Sequence, residues 1–195
     1  MFPRMGHSSV TAQALAAPPY LISFVVVLLT AYFSDRWRSR GLLIAVHALF
    51  ASLGYATIAV AGAYRANAGW RYAGVYPASF GFFSAVTLII TWTINNQRSE
   101  SGQGTGLVML NIIGQMGPFL GTHLYPESEG PYYVKGMSVC GGFMLFVAFL
   151  ALAMRHLLVA KNARLAMEKG VEESETEGLV AGDDEKRSDS FQYML

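Results

Sequence analysis

The side chains in this sequence that could do chemistry fall into two groups. The first is a charged cluster in AYFSDRWRSRGLLI, where Asp35 precedes Arg36, Arg38 and Arg40, and Gly41 follows. The second group consists of hydroxyl, amide and aromatic side chains inside the longer apolar runs of the sequence. A charged cluster between apolar runs is typical of a membrane anchor, a nucleic-acid contact or a moving part, and the rest of the chain decides among these.

Catalytic and metal-binding patterns are missing from the sequence. It contains no HExxH, no GxSxG and no pair of aspartates inside an apolar run. Cys140 is the only cysteine, and of the four histidines only His47 lies well inside an apolar run. A glycine cluster at 102–106 follows no strand, so it is not a dinucleotide-binding loop. We therefore predict that the chain is not an enzyme and has no metal or cofactor.

Composition and apolar runs together indicate a membrane protein. Only 14% of the residues are charged, compared with roughly 25% in soluble domains. The formal net charge of +1 does not favour nucleic acid as a partner. Five runs lack Lys, Arg, Asp and Glu, and each approaches the roughly 20 residues that cross a bilayer as a helix. We predict an all-α membrane protein with five transmembrane helices, at about 12–33, 41–63, 72–94, 103–125 and 136–154.

The basic residues predict an orientation for these five spans. Ten of the 14 Lys and Arg residues fall on one side, including those of the 34–40 and 95–102 loops, and four fall on the other. By the positive-inside rule the N-terminus is outside and the C-terminus is cytoplasmic.

This orientation assigns the remaining segments to the outside, the membrane and the cytoplasm. Residues 1–11 form an extracellular start, residues 12–158 the transmembrane domain and residues 159–195 a cytoplasmic tail, which we predict to be disordered from about residue 170 because it becomes acidic and polar. Pro18 and Pro19 mark the first helical turn of the first span or a kink close to it. The apolar ending FQYML either docks on the protein or is a loose end.

The 34–41 loop can be interpreted as a simple membrane anchor or as a loop with a specific ion pair. Its arginines anchor the membrane side, but Asp35 stands at the C-terminal end of a helix, where the helix dipole disfavours an anion. It therefore needs a cationic partner, and Arg36 or Arg40 is close enough. Gly41 lets the chain turn into the next span. This short, charged loop resembles the "DRxGRR" element of the major facilitator superfamily, which connects adjacent helices on the cytoplasmic side and helps to lock one conformation.

Other segments extend the resemblance in order along about residues 6–164. AAPPYLISFVVVLLTAYFSDRWRSRG, GVYPASFGFFSAVTLIITWTINNQ and GTGLVMLNIIGQMGPFLGTHLYP…GPYYVKGMSV are similar to the C-terminal half of the allantoate permease-like, or anion:cation symporter, branch. The resemblance implies that the five spans match approximately helices eight to twelve of a twelve-helix transporter. It further implies a plasma-membrane location and a small organic anion or vitamin-like substrate, with coupling to protons left open.

On that mapping the first, third and fourth spans face the central cavity, and the second and fifth face lipid. Polar residues share a helical face in each of the three cavity-facing spans, and Gly117 and Gly121 have the spacing of a close-packing face. The candidates for the substrate pathway are Tyr20, Thr91, Trp92, Asn95, Asn111 and Gln115. The candidates for a cytoplasmic gating loop are Asp35, Arg36, Arg38, Arg40 and Gly41.

Each polar position also has a structural interpretation. Ser84 and Thr87 fit hydrogen bonds to their own helix, and His47 fits a partner inside the bundle better than a proton-carrying role. Interhelical bonding and substrate contact stay equally open for Asn111 and Gln115.

The sequence leaves two alternative functions, which belong to different classes. The chain is part of a secondary transporter, whose partners are the lipid bilayer, the substrate and the missing N-terminal half. Alternatively, it is a truncated, transport-inactive five-span protein that associates with a full-length transporter or regulates it.

Overall fold

A computed structural model of the chain describes residues 9–37, 39–97, 99–179 and 194. All the regular structure in these ranges is helical, which confirms the predicted all-α class. The α-helices are α1 (Ser9–Trp37), α2 (Arg40–Ala63), α3 (Ala68–Asn95), α4 (Glu100–Gly114), α5 (Met116–Leu124) and α6 (Val134–Leu179), and a short 3-10 turn lies at Glu127–Glu129.

Four of these helices are long and apolar enough to cross a membrane, judged by length and composition. They correspond to the first, second, third and fifth predicted spans, and the qualifying segments are Gln13–Trp37, Arg40–Ala63, Ala68–Asn95 and Val134–Glu168.

The fourth predicted span is two consecutive helices rather than one. α4 ends at Gly114, Gln115 forms the junction and α5 begins at Met116. Pro118 explains the break, because a proline has no N–H to donate to the carbonyl of Gly114 four residues earlier and its ring crowds that carbonyl.

The proline pair of α1 lies in the interior of the helix, which starts at Ser9, so it does not mark the first helical turn. The alternative, a kink at the pair, stays a prediction. Pro19 leaves the carbonyl of Leu15 without its helical donor. The hydroxyl of Tyr72 on α3 donates to that carbonyl at 3.0 Å, and the Ser23 hydroxyl donates to the Pro19 carbonyl at 2.7 Å. A partner from the neighbouring helix therefore satisfies a backbone group that the proline frees, as membrane helices require.

α2 is the central helix of the described bundle. It packs against α3 on one side and α6 on the other, while α1 packs against α3. Among the four spanning helices α2 has the largest buried share, which differs from the expectation that the second span faces lipid. Small residues explain its position, because Ala45, Ala48 and Ala51 are almost fully buried and let two neighbours approach.

The contact between α2 and α3 depends on glycine. A Cβ at Gly54 would overlap the backbone nitrogen of Ala78, and one at Gly81 would lie 2.5 Å from the carbonyl oxygen of His47. By contrast, nothing lies within 4 Å of a Cβ placed at Gly117 or Gly121. The glycines at the contact between α2 and α3 are therefore closely packed, as is Gly136 of α6 against the Leu124 carbonyl, whereas Gly117 and Gly121, which the spacing predicted, are not.

α6 continues well beyond its membrane-spanning part. It is anchored to α2 by the Ser52 hydroxyl, which donates to the Gly141 carbonyl at 2.9 Å. The helix extends to Leu179, whereas the sequence predicted disorder from about residue 170. The acidic segment after Lys169 contains many residues with good helix propensity, which accounts for the continuation. Residues 180–193 lie outside the described part of the chain.

A buried arginine organises each end of the bundle. Arg71 on α3 donates to the Pro131 carbonyl at 2.9 Å and stacks over the ring of Tyr132, which joins α3 to the loop before α6. Arg40, the first residue of α2, is buried at the opposite end. There the loop between α1 and α2 meets the end of α3 and Arg155 of α6.

Candidate functional site

Arg40 is the centre of the candidate site. Its guanidinium group forms a 2.7 Å ion pair with the Asp35 carboxylate and donates to the Thr91 carbonyl at 3.1 Å. The Arg40 side chain is 6% exposed and the Asp35 side chain 71% exposed, so a buried cation is paired with a solvated anion. With its amide oxygen turned toward the guanidinium group, Asn95 also accepts from Arg40.

The two charges of this pair stand at unfavourable helix ends. Asp35 lies in the last turn of α1, near the negative end of its dipole, and Arg40 begins α2 at the positive end. Each therefore stabilises the other against an adverse dipole. The sequence left Arg36 and Arg40 open as partners of Asp35, and the structure assigns Arg40. Arg36 is exposed, and Arg38 lies outside the described residues.

Gly41 has a packing role as well as a place in the turn. A Cβ at this position would be 3.0 Å from the Cβ of Arg155 and 3.3 Å from the ring of Trp92. The residue thus allows α2 to begin close to both α3 and α6. Trp92 fills the space beside it and is 9% exposed.

A small polar cavity of about 130 Å³ adjoins the ion pair between α1 and α3. Arg40, Asp35 and Thr91 are among its lining residues, as are Ser34 and Ser84. Both serine hydroxyls are buried without a hydrogen-bond partner in the described part of the chain. Two unpaired polar atoms therefore belong to residues that share a cavity with a buried cation.

Three of the six predicted pathway residues meet at this site. Thr91, Trp92 and Asn95 occupy the last turns of α3, where they surround Arg40 and Gly41. The hydroxyl of Thr91 donates to its own helix at the Thr87 carbonyl, and Thr87 donates to the Phe83 carbonyl.

The other three predicted pathway residues lie elsewhere. Tyr20 contacts the ring of Phe83, with centroids 5.8 Å apart, at a separate cavity of about 310 Å³. Asn111 donates to the Leu107 carbonyl of its own helix at 2.9 Å, and Gln115 is the junction between α4 and α5. Both amide side chains are exposed, because neither of these helices buries a residue against the described chain.

His47 has the intramolecular partners that the sequence predicted. Its Nε2 atom is 2.9 Å from the Thr30 hydroxyl on α1, and its Nδ1 atom is 2.9 Å from the Leu43 carbonyl. The ring therefore links α1 to α2, and its partner Thr30 is one of the residues that line the cavity.

Sequence reasoning missed Asn96 altogether. This residue follows the last turn of α3 and forms two hydrogen bonds with the backbone of Met194, at the far end of the chain. Only the apolar ending of a polar tail indicated that something there could dock.

Metal chemistry has no support from the described residues, among which no group of three or more His, Cys, Asp or Glu side chains could hold an ion.

Most of the chain is similar to proteins named as transporters. An MFS transporter, prlL, from a fungal species is 29% identical over 170 residues, which make up 85% of this chain and 34% of that protein. The MFS-type transporter cnsO of Penicillium expansum is 23% identical over 163 residues, 83% of this chain and 32% of that protein. The high-affinity nicotinic acid transporter of Saccharomyces cerevisiae is 26% identical over 158 residues, 81% of this chain and 29% of that protein.

These relatives support the resemblance to the major facilitator superfamily. Together with its apolar helices, they indicate that the chain is a multi-pass integral membrane protein. The chain spans about a third of the length of the relatives that it matches. No protein-family model matches the sequence, and no solved structure matches it.

Proposed function

We propose that the chain is the C-terminal part of a major facilitator secondary transporter of the allantoate permease-like branch, corresponding to about helices eight to twelve. Its substrate is a small organic anion or vitamin-like solute. The observation that carries this proposal is the similarity to a nicotinic acid transporter over 81% of the chain. The order of the resembling segments supports the placement in the C-terminal half.

Within this function, the loop around the Asp35–Arg40 pair is a gate on the cytoplasmic side. The pair joins the end of α1 to the start of α2 and, through the Thr91 carbonyl, to the end of α3. A change of conformation that separates these helix ends must break the ion pair or move all three ends together. The pair therefore stabilises one state of the transport cycle over the other.

The substrate contacts proposed here are hydrogen bonds from Asn111 and Gln115 and an aromatic wall that includes Tyr20. Support comes from the exposure of both amides on helices that bury nothing against the described chain. The polar side chains are thus available to a solute or to another part of the protein. The proposal also places the N-terminus outside, the C-terminus in the cytoplasm and the protein in the plasma membrane.

The test begins with the size of the native product. An antibody against residues 171–195 is used on immunoblots of source membranes, where a band at more than twice the 21.2 kDa of this chain is expected. That longer protein is then expressed in yeast cells that lack nicotinic acid uptake, and the uptake of radiolabelled nicotinate and allantoate is measured. Uptake of neither anion above that of vector-only cells would contradict the proposed substrate class.

The second candidate is a five-span protein that does not transport and associates with a full-length transporter. The observation that favours it is α4, which buries none of its residues against the described chain and therefore presents an open face to a partner. A native band near 21.2 kDa that co-purifies with a larger transporter would support this candidate. A native band of that size without any transporter would contradict it.

A further inference from the structure

We propose that the end of α3 is a docking site for the chain's own tail, and that this site recognises the main chain of the tail at Met194. The Met194 N–H donates to the side-chain oxygen of Asn96 at 2.8 Å. Its carbonyl accepts from the Asn96 side-chain nitrogen at 3.4 Å and from the Trp92 indole N–H at 2.7 Å. Both main-chain polar groups of one residue are therefore bound by two side chains.

The Asn96 side chain is well suited to this contact. A carboxamide offers one acceptor and one donor side by side, which matches the N–H and C=O of a single residue as a neighbouring strand would. The backbone of Asn96 is itself fixed, because its N–H donates to the Trp92 carbonyl at 3.2 Å at the end of α3. The main chain that carries the recognising amide is thus fixed by the end of α3.

Trp92 connects the docking site to the rest of the bundle. Its ring and the Cβ of Arg155 on α6 both lie against the position of Gly41 at the start of α2, so three helices meet there. The indole N–H is the polar end of a largely buried side chain, and the Met194 carbonyl is its partner. A buried indole N–H usually has a hydrogen-bond acceptor. Here the tail supplies that acceptor.

The docking site and the Arg40 cluster share the same two turns of α3. Thr91 and Asn95 contact Arg40, while Trp92 and Asn96 hold Met194. Docking of the tail consequently holds the end of α3 in the arrangement that pairs Arg40 with Asp35. If the proposed transport function is correct, the tail is a latch on the cytoplasmic gate. That consequence depends on the transport function, whereas the docking does not.

If the main chain is recognised, docking should depend on the N–H and C=O of residue 194 and not on its side chain. Met194→Ala keeps the N–H and the C=O and leaves docking nearly unchanged. Met194→Pro removes the N–H that Asn96 accepts, and Asn96→Leu removes both hydrogen bonds of the carboxamide. Loss of one such bond lowers the equilibrium constant for docking by about five-fold. The two tail variants are matched, because both remove the methionine side chain and keep the C=O, and they differ in the N–H that Asn96 accepts.

The experiment uses the full chain in native membranes with the photo-crosslinking residue p-benzoylphenylalanine in place of Leu195. After irradiation, the adduct is located by mass spectrometry of tryptic peptides. We expect it on the peptide that ends at Arg98 and carries Trp92 and Asn96, with equal yield for Met194→Ala and about five-fold lower yield for Met194→Pro.

Three results would overturn the proposal: an adduct located away from α3, equal yields for the alanine and proline variants, or an adduct that forms only between two chains. Because the readout is a covalent adduct and not uptake, docking can fail while transport is observed, and the reverse also holds.

Discussion

At the scale of single residues, Arg40 combines two properties that rarely coexist. It is buried to 6% exposure of its side chain, yet it carries a full charge at the positive end of a helix. Three acceptors offset this cost: the Asp35 carboxylate, the Thr91 carbonyl and the Asn95 amide. Only the first of them is charged, so the neutralisation of Arg40 depends on one exposed aspartate.

The contribution of this pair to stability is expected to be measurable but modest. Asp35→Asn removes the charge and keeps the shape, and it lowers the free energy of unfolding by about 1 kcal/mol, since solvent around Asp35 screens the interaction. Arg36→Gln, in an exposed position of the same loop, is the control and has almost no effect. Thermal unfolding in detergent measures both. A double-mutant cycle with Arg40→Gln isolates the coupling between the two side chains. A coupling near zero would mean that the pair is incidental.

Local spacing limited the partner of Asp35 to Arg36 or Arg40, but it did not choose between them or predict the cluster around the pair. Asp35 and Arg40 are five positions apart, and a short loop brings them together whatever the rest of the fold does. By contrast, Met194 lies 98 residues from Asn96, and no local pattern encodes that contact. Ser84 also differs from its prediction, because the sequence pattern fits a bond to its own helix, whereas its buried hydroxyl has no partner among the described residues.

At the scale of helices, the apolar runs predicted both ends of α1, α2 and α3 and the start of α6 to within a few residues, whereas α6 continues to Leu179 instead of ending at 154. Length and hydrophobicity determine whether a membrane helix exists, and they do not determine which helix is central. The position of α2 follows from three-dimensional packing of alanine and glycine on two faces, which a single stripe in the sequence does not reveal. The break at Gln115 was missed because a run without charges was treated as one continuous helix.

The close contact between α2 and α3 makes a glycine substitution costly. Gly54→Ala places a methyl group on the backbone nitrogen of Ala78, which cannot move like a flexible side chain. We expect it to lower the free energy of unfolding by about 1–3 kcal/mol. Gly142→Ala on α6 is the matched control, because a Cβ there has nothing within 4 Å. It gains about 0.5–1 kcal/mol of helix propensity. Thermal unfolding of both variants tests this, and an equal response would argue against close packing at Gly54.

The junction between α4 and α5 is expected to depend on Pro118. Pro118→Ala restores the N–H that the Gly114 carbonyl lacks and joins the two helices into one. Spin labels at Val108 and His123, placed in a Cys140→Ser background, would then be separated by about 22 Å along a continuous helix axis. Electron–electron double resonance is expected to show a shift toward that separation. Pro77→Ala is the control, because α3 continues through Pro77 without a break. An unchanged distance in Pro118→Ala would exclude the proline as the cause.

At the scale of the whole molecule, the buried arginines lie at opposite ends of the bundle. Arg40 and Arg155 meet Trp92 and the docked Met194 at one end, and Arg71 meets the loop at Pro131 and Tyr132 at the other. The charge count assigned Arg40 and Arg155 to one side of the membrane and Arg71 to the opposite side, so the geometry and the count agree on which residues share a side. The direction of insertion rests on the charges alone.

That direction can be tested with single cysteines at the two ends of the bundle. In a Cys140→Ser background, Tyr64→Cys lies after α2 and Glu100→Cys begins α4, and both positions are exposed. With ten basic residues of 14 on the side of Glu100, we expect that side to be cytoplasmic. A membrane-impermeant maleimide added to intact cells is therefore expected to label Tyr64→Cys, and to label Glu100→Cys only after permeabilisation. The reverse pattern would place the Asp35–Arg40 pair and the tail outside the cell, where neither a cytoplasmic gate nor a cytoplasmic latch could operate.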